Sequence, residues 1–253
     1  MAAPLPEKVQ TAVVTGGARG FGKEVCRSLH RAGFRVVITD VDPGAEAAAL
    51  ASELDLAGET GWTATLDVNK PEDFQHVLDQ CIEHWGSVEV LVNNAARTKA
   101  EAVLDIDPAT FNEILATNAG GTFTGCQIFG RHFKERGYGR IVNMASLAGQ
   151  NGGTATGAHY AASKGAILTL TKIFARDLAP FGVTCNAIAP GPMDTPMVRS
   201  VLGDKIDAAI ANIPVGQLGD PAFVAEMVTM LASPAAAFVN GACWDVNGGL
   251  YVR

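Results

Sequence analysis

Two side chains in the segment HYAASKGA, residues 159–166, have the types and spacing to move a proton. Tyr160 and Lys164 are four residues apart, which puts both on one face of a helix. A free phenol ionises near pH ~10, too high for a good general base at neutral pH. A nearby ammonium favours the phenolate and lowers that value. Tyr160 is thereby suited to exchange a proton with a substrate hydroxyl or carbonyl. Taken alone, the same spacing also describes two solvated side chains.

A second chemical signal is TGGARGFG, Thr15 to Gly22, which follows the apolar run 9–15. Its spacing, Gly16-x-x-x-Gly20-x-Gly22, differs from the usual dinucleotide pattern G-x-G-x-x-G. The physics is the same. Glycines let the backbone turn tightly against a pyrophosphate, and the next helix offers free N–H groups and the positive end of its dipole. A ligand-free strand-to-helix turn is the competing reading. Asp40 ends the next apolar run, where an acid accepts hydrogen bonds from the adenosine ribose and repels a 2′-phosphate. An alternative use of Asp40 is as a helix cap, but Pro43 moves the helix start and makes Asp42 the better cap. Arg19 points the other way, since a basic residue before the second glycine meets a 2′-phosphate. It can also turn to solvent or pair with Asp40 or Asp42. The balance predicts NAD, with NADP possible.

The elements that must carry these groups alternate along the chain. Residues 9–15, 34–40, 61–68, 88–96, 139–146, 183–191 and 242–249 read as strands. Residues 21–33, 43–58, 71–86, 107–137, 158–182 and 220–234 read as helices, with glycines or prolines at many of their ends. This rhythm predicts an α/β fold: a Rossmann-type doubly wound sheet of about seven mostly parallel strands with helices on both faces. The polar and glycine-rich clusters fall at the carboxyl ends of the strands, where such sheets bind ligands. No repeat or linker divides residues 1–253, which read as one domain.

Bulk properties remove other classes. The net charge of −7 and the lack of a Lys/Arg run argue against a nucleic-acid or anionic-membrane partner. The five cysteines, Cys26, Cys81, Cys126, Cys185 and Cys243, are odd in number and widely spaced. They read as small buried thiols rather than as disulfides or a metal site. Nothing resembles a signal core or a membrane span, so a cytoplasmic setting is expected.

At this point the ordered motifs resemble the short-chain dehydrogenases/reductases over essentially the whole chain. The matching stretches are TGGARGFG, the strand end at Asp40, LDV (66–68), LVNNAA (91–96), ATNAGGTF with Asn118, NMAS with Ser146, YAASK, and APGPMDTPM. The resemblance implies roles. Tyr160 is the general acid/base, and Lys164 lowers its pKa and binds the nicotinamide ribose. Ser146 orients the reacting oxygen, and Asn118 holds a water that links Lys164 to solvent. Gly16, Arg19, Gly20, Phe21, Gly22 and Asp40 belong to the nucleotide site. Asp67 and Val68 contact the adenine, and Asn94 and Ala95 line the groove. Asn93 neighbours that groove but is assigned to holding the central sheet. Pro190, Gly191 and Thr195 flank the nicotinamide. No metal is implied. The family usually has NNAG where this chain has NNAA, so Ala96 puts the local loop geometry in question. His159 has no family role and reads as a structural or substrate-contact residue. Trp62, Trp85 and Trp244 read as core or interface aromatics.

A lid at about 192–215 is expected to cover an alcohol or ketone substrate. Its apolar candidates are Met193, Met197, Val198, Leu202, Ile206, Ile210 and Ile213, some of which must pack the lid onto the body. Gly152 and Gly153 leave room near the reacting carbon, and Arg97, Lys99 and Arg199 lie within reach of an acidic group. The C-terminal part is similar to 3-oxoacyl-(acyl-carrier-protein) reductases. That similarity implies NADPH, a 3-oxoacyl thioester as the alternative substrate, and a homotetramer. A catalytically silent nucleotide-binding regulator on the same fold is the reading from another class. The presence of both Tyr160 and Lys164 speaks against it.

Overall fold

A computed structural model describes residues 9–153, 156–195, 198–199 and 203–253. Seven strands form one sheet in the order β3-β2-β1-β4-β5-β6-β7, with every neighbouring pair parallel. The strands are β1 (Thr11–Thr15), β2 (Arg35–Asp40), β3 (Gly61–Thr65), β4 (Val90–Asn93), β5 (Gly139–Met144), β6 (Val183–Pro190) and β7 (Cys243–Val246). The helices are α1 (Gly20–Arg31), α2 (Gly44–Leu54), α3 (Pro71–Trp85), α4 (Pro108–Leu115), α5 (Gly121–Arg136), α6 (Ala148–Asn151), α7 (Ala158–Leu178), α8 (Ile206–Ala211) and α9 (Pro221–Ala232).

The chain winds outward from β1 to β3 and then returns to β4 on the other side of β1. That reversal opens a crevice at the carboxyl ends of β1 and β4. Alternation along the strands divides the core in two. Val14, Ile38 and Val92 face α1 and α9, whereas Val13, Val37 and Leu91 face α3, α5 and α7. Because both faces are buried, the strands read in sequence as continuous apolar runs.

Several element ends differ from the sequence reading. Helix α2 stops at Leu54 rather than at Gly58. The Asp55 carboxylate accepts from the backbone N–H groups of Ala57 and Thr60, which builds a turn instead. Asp42 does not cap this helix: the cap position is Pro43, with no side-chain bond. The segment 107–137 is interrupted by a π turn at Ala116–Gly120. Helix α6 is a single turn in a stretch that carries no periodic pattern of its own. Helix α7 ends at Leu178, and a 3-10 turn follows it over Ala179–Phe181.

Candidate active site

The cradle is built mainly from backbone. Gly16 and Gly20 have φ of 62° and 54°, in the left-handed region. A Cβ on Gly22 would lie 2.0 Å from the Gly16 carbonyl, and one on Gly16 would lie 2.9 Å from the Ala95 Cα. Nothing stands within 4 Å of the same position at Gly20, so that side is open. Helix α1 has no capping side chain and no acid in its first turn. Its positive end therefore remains uncompensated, as an anion site requires. Phe21 is half-buried and packs on the core below.

The adjoining loop is stitched to this turn. Asn94 Nδ2 donates to the carbonyls of Thr15 and Gly16, both at 3.0 Å. The Thr15 hydroxyl accepts from the N–H groups of Asn94 and Ala95 at 3.0 and 3.1 Å. Asn93 points into the sheet and donates to Asn143 Oδ1 at 2.8 Å, the sheet-holding position expected for it. Ala96 is exposed. No described non-glycine residue has positive φ, so the loop does not need the glycine that usually stands there.

Asp40 is buried at the end of β2. Arg19 Nη2 lies 3.9 Å from its Oδ1, and Arg19 Nε lies 3.5 Å from Glu46. The Arg19 side chain is 65% exposed, and at these lengths its two contacts are loose. Asp40 is thus the enclosed member of the pair and Arg19 the exposed one. Arg19 pairs with Asp40 and Glu46, not with Asp42. Asp67 turns its Oδ1 back to Asn69 N and Nδ2, both at 3.0 Å, and these bonds hold its carboxyl below the usual range. Val68 is buried where Gly121 lets α5 approach, since a Cβ on that glycine would lie 2.8 Å from the Val68 Cβ.

The catalytic candidates converge at the carboxyl end of β5. Lys164 is almost wholly buried and donates from Nζ to the Met144 carbonyl at 2.6 Å. Its ammonium lies 5.6 Å from the centre of the Tyr160 ring. Burial lowers the Lys164 pKa from 10.5 to about 8. Burial raises Tyr160 above its ordinary 10, and the hydroxyl of Ser146 pulls it partly back. Ser146 is the neighbouring group that favours the ionised phenol here. The ammonium is turned toward a carbonyl and is itself weakened by burial.

Asn118 sits in the π turn, fully buried. Its Oδ1 accepts from Arg97 N at 2.7 Å, and its Nδ2 donates to Arg97 O at 2.9 Å and to Ser163 Oγ at 3.0 Å. Ser163 in turn donates to the Tyr160 carbonyl at 2.7 Å. One side chain thereby ties the loop after β4 to helix α7. Single π turns of this kind are frequent at functional sites.

The strand β6 closes the site. Pro190 O accepts from Leu147 N at 2.9 Å, and Gly191 N donates to Val246 O at 2.8 Å. A Cβ on Gly191 would meet the Asn247 Cα at 2.9 Å. The Thr195 hydroxyl accepts from Val198 N at 3.2 Å, a helix-capping bond. Of the lid candidates, Met193 and Ile213 are buried against the body. Met197 and Leu202 lie outside the described residues. His159 is fully buried beside Tyr160.

Four participants were missed in the sequence. Thr15 and Ser163 carry visible hydroxyls within quoted motifs. Gly149 lets α6 meet α7, since its Cβ would lie 2.5 Å from the Lys164 carbonyl carbon. The Met144 carbonyl has no side-chain signature at all. Among the described residues, no group of three His, Cys, Asp or Glu side chains is placed to hold a metal. Among the same residues, no helix is long and apolar enough to cross a membrane.

Comparison with known proteins agrees with this geometry. Residues 16–251 match a family model described as enoyl-(acyl carrier protein) reductase. The chain is 35% identical to the 3-oxoacyl-(acyl-carrier-protein) reductase FabG of Vibrio cholerae, over 96% of this chain and 98% of the relative. It is 33% identical to the protein of that name from Escherichia coli, over 95% and 97%. A solved structure from Agrobacterium tumefaciens, provisionally described as a gluconate dehydrogenase, superposes with a TM-score of 0.88 at 30% identity and covers 95% of each chain. The names differ in substrate and in the bond acted on, and all describe oxidoreductases. The chain is an oxidoreductase of the short-chain dehydrogenase/reductase family.

Proposed function

We propose that this chain transfers hydride between NAD(H) and a secondary alcohol or ketone, with Tyr160 as general acid/base. The observation that carries the reading is the convergence of Ser146, Tyr160 and Lys164 at the carboxyl end of β5. The cradle's excluded Cβ positions and the bare end of α1 fit a pyrophosphate. Gly16, Gly20, Gly22 and the first turn of α1 hold that group, with Asp40 on the adenosine ribose and Lys164 toward the second ribose. Asp67 and Val68 flank the adenine, and Asn94, Ala95, Pro190, Gly191 and Thr195 line the remaining groove. The cofactor, when bound, supplies the hydride donor or acceptor. The chain supplies position and a proton path.

Ser146 holds the substrate oxygen next to the Tyr160 hydroxyl. In reduction Tyr160 gives that oxygen its proton, and in oxidation it takes the proton away. Lys164 and Asn118 lie behind Tyr160 along the route by which a proton reaches solvent. The preference for NAD rests on Asp40, a buried carboxylate, outweighing a loosely paired Arg19. The flanking cations Arg97, Lys99 and Arg199 are paired with Glu113, Glu101 and Asp194. That pairing favours an uncharged substrate beneath a lid at about 192–215. Exposed Phe123 and Ile173, on α5 and α7, favour burial against further copies in a homotetramer.

A panel of secondary alcohols and ketones, assayed with both nucleotides, tests the reading. NAD-linked turnover of a neutral member supports it, and activity confined to NADPH contradicts it. A second reading, an NADPH-dependent 3-oxoacyl thioester reductase, is favoured by the names of the FabG relatives. Strong NADPH-linked reduction of a 3-oxoacyl thioester, with no NAD-linked turnover, would establish it instead.

A further inference from the structure

Helix α7 begins without a conventional cap. Its cap residue is Gly157, which has no side chain to offer. The N–H of Tyr160, three residues in, is the donor that a capping Ser, Thr, Asp or Asn ordinarily satisfies. Here it is taken by the imidazole of His159, with Tyr160 N donating to Nδ1 at 2.8 Å and also to Gly157 O at 3.1 Å. The glycine is what makes this possible, because a Cβ at Gly157 would lie 2.3 Å from the imidazole Cε1.

Since Nδ1 accepts, the neutral ring carries its proton on Nε2. That nitrogen is buried, has no hydrogen-bond partner among the described residues and lies 3.8 Å from Glu101 Oε2, which is also buried and unpartnered among them. Two such atoms facing each other are each other's natural partners, since leaving either unmet is costly. Lys99 Nζ occupies the other Glu101 oxygen at 3.0 Å, and the Lys99 carbonyl accepts from Gly157 N at 3.2 Å.

We propose that His159 is a positioning residue for Tyr160, linking the catalytic tyrosine's backbone to Glu101 in the loop after β4. The inference rests on the proposed role of Tyr160, but its structural half stands apart from any activity. The imidazole fixes the first turn of α7 through Nδ1. Through Nε2, which faces Glu101 Oε2 at 3.8 Å, it sets that turn against the segment that Asn118 anchors at Arg97. The loop and the tyrosine therefore move together.

Three variants separate the two nitrogens. His159→Asn keeps an acceptor near the Nδ1 position, His159→Gln keeps a donor near Nε2, and His159→Ala keeps neither. Backbone hydrogen exchange at residues 158–161 needs no substrate. It is expected to run about fivefold faster in His159→Ala and His159→Gln and to stay near wild type in His159→Asn. With a turned-over substrate, His159→Ala is expected to lose about tenfold in kcat with nucleotide affinity unchanged, and His159→Asn to recover most of it. The proposal is overturned if His159→Asn matches His159→Ala in exchange, or if exchange in His159→Ala equals wild type. Where His159→Ala fails to fold, the contrast between the Asn and Gln variants decides alone. If Tyr160 proves dispensable for turnover, the functional reading fails, while the exchange result still reports on His159.

Discussion

The nucleotide cradle and the catalytic corner solve opposite problems. The cradle works by leaving atoms out: Gly16, Gly20 and Gly22 clear space, and α1 is left without a cap or an acid in its first turn. The corner works by burying polar atoms in a crowded place, with Lys164 almost wholly enclosed and Asn118 fully so. One region therefore fails when something is added and the other when something is removed. The corner also carries a stability cost that the cradle does not.

The largest expected effect is at the corner. Tyr160→Phe is expected to lower kcat by about a thousandfold, since it removes the proton donor and acceptor. Its nucleotide affinity, measured by titration, should stay within about twofold of wild type, because no cradle contact depends on the phenol. Next comes the cradle. Gly22→Ala places a methyl 2.0 Å from the Gly16 carbonyl and is expected to weaken nucleotide binding by about a hundredfold, a backbone clash being harder to relieve than a side-chain one.

The corner should then show its cost. Lys164→Met removes a buried ammonium and, together with activity, removes a penalty on folding. A fall from 10.5 to about 8 corresponds to about 3 kcal/mol against the charged form. The lost bond to Met144 O returns about 1 kcal/mol of that. The variant is expected to gain roughly 2 kcal/mol at pH 7 in denaturant unfolding. The sign follows from proton counts. Between about 8 and 10.5 the folded chain binds fewer protons at Lys164 than the unfolded chain, so this group's contribution to stability rises with pH there. The variant's advantage should shrink across that window and turn into a deficit of about 1 kcal/mol above it, where only the lost bond to Met144 O remains. No gain at pH 7 would mean that Lys164 is not charged and enclosed as described. The smallest effect is at Arg19. Arg19→Ala should change stability by less than about 0.5 kcal/mol in the same assay, as expected of loose exposed pairs.

The contrast also explains what was legible in the sequence. Glycine spacing and strand-end polarity write the cradle and the ligand-binding edge of the sheet into the chain, because backbone geometry there demands particular residues. Tyr160, Lys164, Ser146 and Asn118 are visible as side chains, and all four meet in one region. Their connections are less visible. Lys164 is held by the Met144 carbonyl and Asn118 by the backbone of Arg97, and a main-chain group looks the same at every position. The π turn at Ala116–Gly120 hides for a similar reason, since its distinguishing hydrogen bonds are made by main-chain groups. Burial is equally hard to read from spacing: the i, i+4 pair brings the ammonium close to the phenol, but enclosure is the largest influence on both groups.

The proposed NAD preference rests on Asp40, the buried acid at the end of β2. The direct measurement is kcat/KM of the purified wild-type chain with NAD and with NADP, on one secondary alcohol, beside Asp40→Ala. The account predicts that wild type favours NAD by at least about tenfold and that the variant narrows this ratio. A wild-type preference for NADP, unchanged by Asp40→Ala, would contradict it.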